Sequence, residues 1–400
     1  MPTPQPLRRY REITFLTGND GHTKGITAVQ FNSKATMLAT SDLDGKVCLW
    51  MVQSGKLVHA SLGKSPVTSL LWIEGEIIFG SKDGNISRLT ISPDFSIIGF
   101  WAHKYPVEHL AVDGDLLVSG ALNELKVWRR KPDGAKYVLE VKLQGLPLAS
   151  YNDGKEVLVM SLHWMTSKLH DRLLMVTYMY HGAHLIETKS WSRVHTIPFP
   201  GGKIASASLS DNGTFITISN LTKGFNIYRM ETEEPVASFV HEVGEPMPTP
   251  VVFTHGGHAI VSGTTAGNVN IWDVYELGKI HSLSIPKGQK VLALAGCVFA
   301  LYPRRVFCKA APEPSDYRIL LATGIFNQNS SSMCIVWEAQ EIDNDAQGNT
   351  SPDGGVKGKD QAAASPSSKT RSFTAMVIWW SGWIIIVAYC LLIFAQESEW

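Results

Sequence analysis

The chain lacks an excess of either charge. Its 36 Lys+Arg balance 36 Asp+Glu, giving a formal net charge of +0 over 400 residues. Nucleic-acid binders usually carry a basic surplus, so no nucleic-acid partner is expected. Cysteine is sparse as well: five residues, at 48, 297, 308, 334 and 390, with no C-x-x-C pair. That pattern excludes a zinc-finger or disulfide framework and fits a reducing compartment. Also missing are the G-x-x-x-x-G-K-[ST] phosphate loop, the G-x-S-x-G elbow, H-E-x-x-H and the protein-kinase set. No catalytic, cofactor-binding or metal residue is therefore expected, and the chain is read as not an enzyme. Helical periodicity is nearly absent from the first 337 residues, which argues against a helical bundle there. Disorder throughout is excluded too, because 44% of the residues are hydrophobic.

In place of helices, short β-rich runs recur between Gly, Asp, Asn, Ser and Pro turns: ITAVQF, MLATS, KVCLW, VTSLLW, EIIFGS, NISRLTI. Turn signals at such spacing predict an all-β sandwich, barrel or propeller. A longer period decides between them. One run ends at Trp50, the next puts Leu89 at the equivalent place, and a third ends at Trp128, in steps of 39 and 39 residues. Later ends fall at Tyr228, Trp272–Asp273 and Trp337. The step of 100 from Trp128 to Tyr228 predicts two repeats, the weaker near LLMVTYMYHGAHLIET. The step of 65 up to Trp337 predicts one repeat with an insertion near YPRRVFCKAAPEPSDY.

The first repeat has Gly21-His22 before the first strand, Thr40 in the second, Asp44 in the following turn and Trp50 in the third. With these residues at this spacing it resembles a WD-repeat β-propeller blade. The resemblance implies that His22, Thr40, Asp44 and Trp50 form a hydrogen-bonded chain inside the blade, a structural role and not a catalytic one. It implies the same class of role for Asp83, His103, Trp128 and Trp272. Repeat two keeps Asp83-Gly84 without the His or Trp. Repeat three keeps His103 and Trp128 but has no Asp six residues before the Trp. Repeat six has Ala266 at that position. Counting repeats predicts seven blades. The last stops at its third strand, CIVW, so an N-terminal strand at about Glu12 to Leu16 is expected to complete it. That closure removes an otherwise open sheet edge.

The last part of the chain is different. No residue from Ser372 to Gln396 is charged, and Phe373 to Ala395 is a 23-residue apolar run. About 20 apolar residues suffice for a helix to span a bilayer, so a transmembrane helix is expected at 372–396. Trp379, Trp380 and Trp383 would sit at one interface, with Lys369 and Arg371 beside it. Lys357, Lys359, Lys369 and Arg371 precede the run, and only QESEW follows it. The positive-inside rule then keeps the N-terminal part cytosolic. MPTPQPLRRY holds no apolar stretch of the signal-peptide kind. The sequons at Asn85, Asn212, Asn220, Asn329 and Asn349 are accordingly expected to stay unmodified.

The expected division is an arm at 1–11, the propeller at 12–337, a flexible linker at 338–371, the span at 372–396 and a lumenal tail at 397–400. The linker, rich in Gly, Ser, Pro, Ala, Asp and Lys, would reach about 30 Å r.m.s.. The expected location is the endoplasmic reticulum, with the mitochondrial outer membrane as the alternative. The order of parts is similar to that of the ER exchange factor that loads the coat-initiating small GTPase of COPII vesicles. That resemblance implies a small GTPase as partner. The Gly-rich cation-binding insertion of that family has no counterpart between Gly21 and Trp50.

Three basic clusters are expected on the propeller face from which the linker departs: Arg8, Arg9 and Arg11; Arg129, Arg130 and Lys131; Arg304, Arg305 and Lys309. They are candidates for contact with anionic lipid. Glu231, Glu233 and Glu234 should lie on the same face, as a solvated turn. His181-x-x-His184 and His255-x-x-His258 have a metal-compatible spacing but no nearby acidic third ligand, so turn or core histidines are expected.

Overall fold

The computed structural model describes residues 9–340 apart from 18–19, 93, 133, 135, 144–153, 167–170, 200–202, 221–223, 241–248, 264–266, 287–288, 301–316 and 327–331. The expected linker from 341 onward, the span and the tail, with Lys369, Arg371, Trp379, Trp380 and Trp383, lie outside the described residues. So do Arg8, Arg304, Arg305, Lys309, Asn329 and Asn349. Among the described residues no helix is long and apolar enough to cross a membrane.

Seven four-stranded antiparallel sheets follow one another. Each is one blade, with strands a to d running from the ring's inside outward. Their innermost strands touch in turn, and the seventh returns to the first, so the ring closes. Blades one to six are built from consecutive strands, covering 26–62, 67–101, 109–143, 159–197, 204–239 and 251–284. Blade seven takes Lys290–Ala300, Tyr317–Phe326 and Cys334–Gln340 as a, b and c, and Arg9–Leu16 as d. The seven-bladed all-β reading therefore holds. The weak repeat is blade four, with strands b and c at Leu173–Tyr178 and Gly182–Glu187.

Two expected boundaries shift. The closing strand begins at Arg9, not Glu12, because strand c of blade seven continues past Trp337 and the pairing extends to Arg9 opposite Gln340. Glu338, Ala339 and Gln340, expected in the linker, thus belong to the sheet. Glu338 faces Arg11 and Arg318 there.

The core lies between blades. Seven apolar clusters among the described residues each join two neighbours. Between blades one and two, Val47 and Leu49 meet Val67, Ile77 and Phe79. Between blades seven and one, Trp50, Ile26 and Leu38 meet Leu320 and Val336. Strands b and c are covered on both faces and read as near-continuous apolar runs, such as LLVSGA at Leu116–Ala121. Each fully buried Leu, Ile or Phe contributes about 1.5–3 kcal/mol. Burial falls outward, and the d strands alternate or lie open.

Candidate functional site

Blade one builds its polar interior from four side chains. His22, just ahead of strand a, lies with Nδ1 2.7 Å from Asp42 Oδ2 and Nε2 2.6 Å from Thr40 Oγ1. Trp50 donates its indole N–H to the same hydroxyl at 2.8 Å. Donors and acceptors then run one way: Trp50 to Thr40, Thr40 to His22, His22 to Asp42. All four are buried. A buried indole N–H needs such a partner.

The carboxylate in this chain is Asp42, and the assignment to Asp44 is corrected. Asp42 ends strand b, Met37–Asp42, where its side chain reaches inward to His22. Its other oxygen accepts the turn amides of Asp44 and Lys46 at 3.0 and 2.8 Å. Asp44, at the corner of the turn, accepts from the Thr23 hydroxyl at 2.6 Å, away from the histidine.

Blade three repeats the chain with a different acid. Trp128 donates to Ser119 at 2.8 Å, Ser119 contacts His103 Nε2 at 2.6 Å, and His103 Nδ1 lies 2.9 Å from Glu124 Oε2. Here the b–c connection is one residue shorter than in blade one, two residues against three, and Glu124 opens strand c (Glu124–Arg130). Its longer side chain reaches the place that Asp42 fills. Sequence reading found His103 and Trp128 but missed Ser119 and Glu124; for the latter the signal was an acid at the first residue of the strand. Burial, above all, lowers the His103 pKa to about 4, so its imidazole is neutral. The Glu124 carboxyl is held below its ordinary value by its hydrogen bond to His103 and by Lys126, against the opposing effect of burial.

The remaining motif residues are not assembled in this way. Asp83 is a turn residue, accepting from Asn85. Trp272 packs on Phe225 and Phe239 at ring-centre distances of 5.1 and 5.8 Å. Trp337 donates to Thr323 at 3.0 Å, a two-member chain in blade seven that the sequence did not reveal.

His181 lies against the carbonyls of Lys155 and Glu156, and His184 against the Tyr178 ring. His255 meets the Tyr10 hydroxyl at 3.4 Å, and His258 the Tyr275 ring. Among the described residues no group of three His, Cys, Asp or Glu could hold a metal ion. Burial pushes the thiols of Cys48 and Cys297 up to about 12 and about 11, so neither is a ready thiolate.

The basic residues have acidic neighbours. Arg129 bonds to Asp115 and Glu140. Arg130 lies 2.9 Å from Glu76, and Arg11 lies 3.8 Å from Glu338. Arg9 and Lys131 are exposed. The antiparallel order puts the ends of the c strands at one face of the ring, so Arg9, Arg11, Arg129, Arg130 and Lys131 do share a face. The turn holding Glu231, Glu233 and Glu234 lies there too, with Glu233 bonded to His195.

Residues 13–51 match the family described as WD domain, G-beta repeat. The match runs from the closing strand through strands a to c of blade one, with His22, Thr40, Asp42 and Trp50 inside it. No curated protein matches the chain.

Proposed function

We propose that this chain is a membrane-tethered propeller scaffold on which other proteins dock at the cytosolic face. The observation that carries the reading is where the polar side chains go. In blades one and three a buried His, Ser/Thr and Trp bond in sequence to one another and to an acid, buried in blade one and half-buried in blade three. They hold a rigid ring and leave its loops as the surface for partners. The WD-repeat match in blade one supports protein binding as the use of that ring. The tether is proposed from the uncharged run Phe373 to Ala395 and the Lys and Arg residues before it. The endoplasmic reticulum is the proposed membrane.

Proximity labelling from the intact chain, compared with a variant lacking 372–396, tests this. A set of cytosolic protein neighbours lost on removing the run is the expected result. Labelling that is the same in both overturns the tether, and labelling without reproducible protein neighbours overturns the scaffold. The small-GTPase reading rests on the order of parts alone. Faster nucleotide release from a small GTPase on adding the chain is its specific test.

A further inference from the structure

Outer strands of a propeller leave a sheet edge open, and open edges are normally guarded by charge or proline. Five blades here follow that rule. Strand d carries Glu140 and Lys142 in blade three, Arg193 in blade four, Pro235 in blade five, Lys279 in blade six, and Arg9, Arg11 and Glu12 in blade seven. Blades one and two do not. Their d strands, LVHASL (Leu57–Leu62) and SIIGFW (Ser96–Trp101), hold neither a charged residue nor a proline. Exposed large apolar side chains, present singly or in pairs on other blades, cluster here: Leu62 is 70% exposed, Trp101 64% and Ile98 53%, with Val58, Phe95 and Ile97 exposed beside them. A stacked pair, His59 of blade one on Phe95 just ahead of strand d in blade two, joins the two rims at a ring-centre distance of 3.9 Å. The result is one apolar strip across two adjacent blades.

We propose that this strip is where the propeller rests on the interfacial zone of a lipid bilayer. The inference depends on the tether proposed above. Strand c of blade seven ends at Gln340, and blade seven is the ring neighbour of blade one. Thirty-two residues separate Gln340 from the apolar run beginning at Phe373. A chain of that composition reaches about 30 Å, so the bilayer is held within reach of these rims. Aromatic and aliphatic side chains on a polar body suit the headgroup level. Exposed Lys56, Lys64, Lys82 and Lys104 flank the strip, against exposed Asp20, Asp83 and Asp94. That composition permits anionic lipid without requiring it. The open strand edges set the depth, because unpaired backbone groups find partners among water and headgroups but none in hydrocarbon. A strand-adding protein partner would use one edge. This strip spans two edges tied by a side-chain stack, which suits a broad surface. The face at the ends of the c strands offers less: of its basic residues Arg129, Arg130 and Arg11 are already beside carboxylates, and Arg9 and Lys131 are exposed without an apolar strip.

The test uses the full chain in phosphatidylcholine vesicles, with and without phosphatidylserine. Leu62 or Ile98 is replaced by the photo-crosslinker p-benzoylphenylalanine, both positions being exposed and clear of the core. Val240, 83% exposed beyond strand d of blade five across the ring, takes the same substitution as the control. Resistance to alkaline extraction reports insertion separately. The expected result is an inserted chain with severalfold more lipid adduct at 62 and 98 than at 240. An inserted chain with equal or no adduct at 62 and 98 overturns this inference and leaves the tether standing. Protein adducts at 62 and 98 in place of lipid adducts overturn it in favour of a partner or a second copy. A chain extracted by alkali overturns the tether, and this inference with it.

Discussion

Asp42 and Asp44 are separated by one leucine, yet only the first is in the interior. Replacing Asp42 by Ala leaves the His22 N–H and two turn amides without their acceptor. A loss of about 3 kcal/mol or more is expected in urea unfolding. Asp44→Ala removes one exposed contact with Thr23 and should cost under about 1 kcal/mol. Equal losses in the two variants would show the chain to be wrongly traced. Glu124→Ala should behave like Asp42→Ala, since Glu124 accepts from His103. The His and the Trp of these chains, and Thr40 of blade one, were readable in the sequence because each residue type has one obvious use in such a blade; Ser119 was not named. The acid was not readable, because what matters is where a carboxylate can reach. That depends on turn length, and Asp at the end of strand b and Glu at the start of strand c arrive at the same imidazole nitrogen.

Turns between strands b and c are the next level at which the sequence is constrained. Gly84 has φ +81°, and a Cβ there would stand 1.9 Å from the His103 carbonyl oxygen, on the segment entering the next blade. Gly84→Ala therefore meets both backbone strain and a clash with backbone. A loss of more than about 1 kcal/mol is expected, read as a lower denaturation midpoint with unchanged secondary structure. The closing strand makes a second element-scale case. Removing residues 1–16 leaves strand c of blade seven, Cys334–Gln340, as an exposed edge. The expected outcome is concentration-dependent association in light scattering, since a bare edge is a template for pairing. That a strand would close the ring was legible from counting strands. Its first residue was not, because Arg9 and Arg11 look like an arm until Glu338 and Gln340 are seen opposite them.

Across the whole ring, buried histidines set the response to acid. Burial lowers His103, His109, His163 and His184 to about 4 each from an ordinary 6.5. Between those values the unfolded chain takes up protons that the folded chain refuses, so stability is retained above pH 6.5 and falls as the pH drops toward 4. Glu108, pushed up to about 7 by burial, acts in the opposite sense. The folded chain keeps that proton where the unfolded chain has released it. Unfolding near pH 5 should therefore take up a net of about three protons, and His163→Gln should reduce that by about one. Denaturation midpoints measured from pH 7 to pH 4.5 check both. A midpoint that does not move with pH would contradict the set. The seven-blade plan was visible in the 39-residue steps. The unguarded rims of blades one and two were not, because LVHASL and SIIGFW read as ordinary strands until their place at the outside of the ring is known.

Pairing Arg9 with Gln340 also has a consequence in time. The first strand made is joined to the last strand of the ring, so it has no partner through most of synthesis. Blades one to six can form from neighbours in sequence, each soon after it emerges. Blade seven cannot, and the contact that completes it has one of the longest sequence separations in the chain. Such late, non-local pairing is slow. The ring is thus topologically complete only once residue 340 is available, ahead of the apolar run that begins at Phe373. Assembly of the propeller and appearance of the apolar run are ordered by the chain itself, with the ring able to close first.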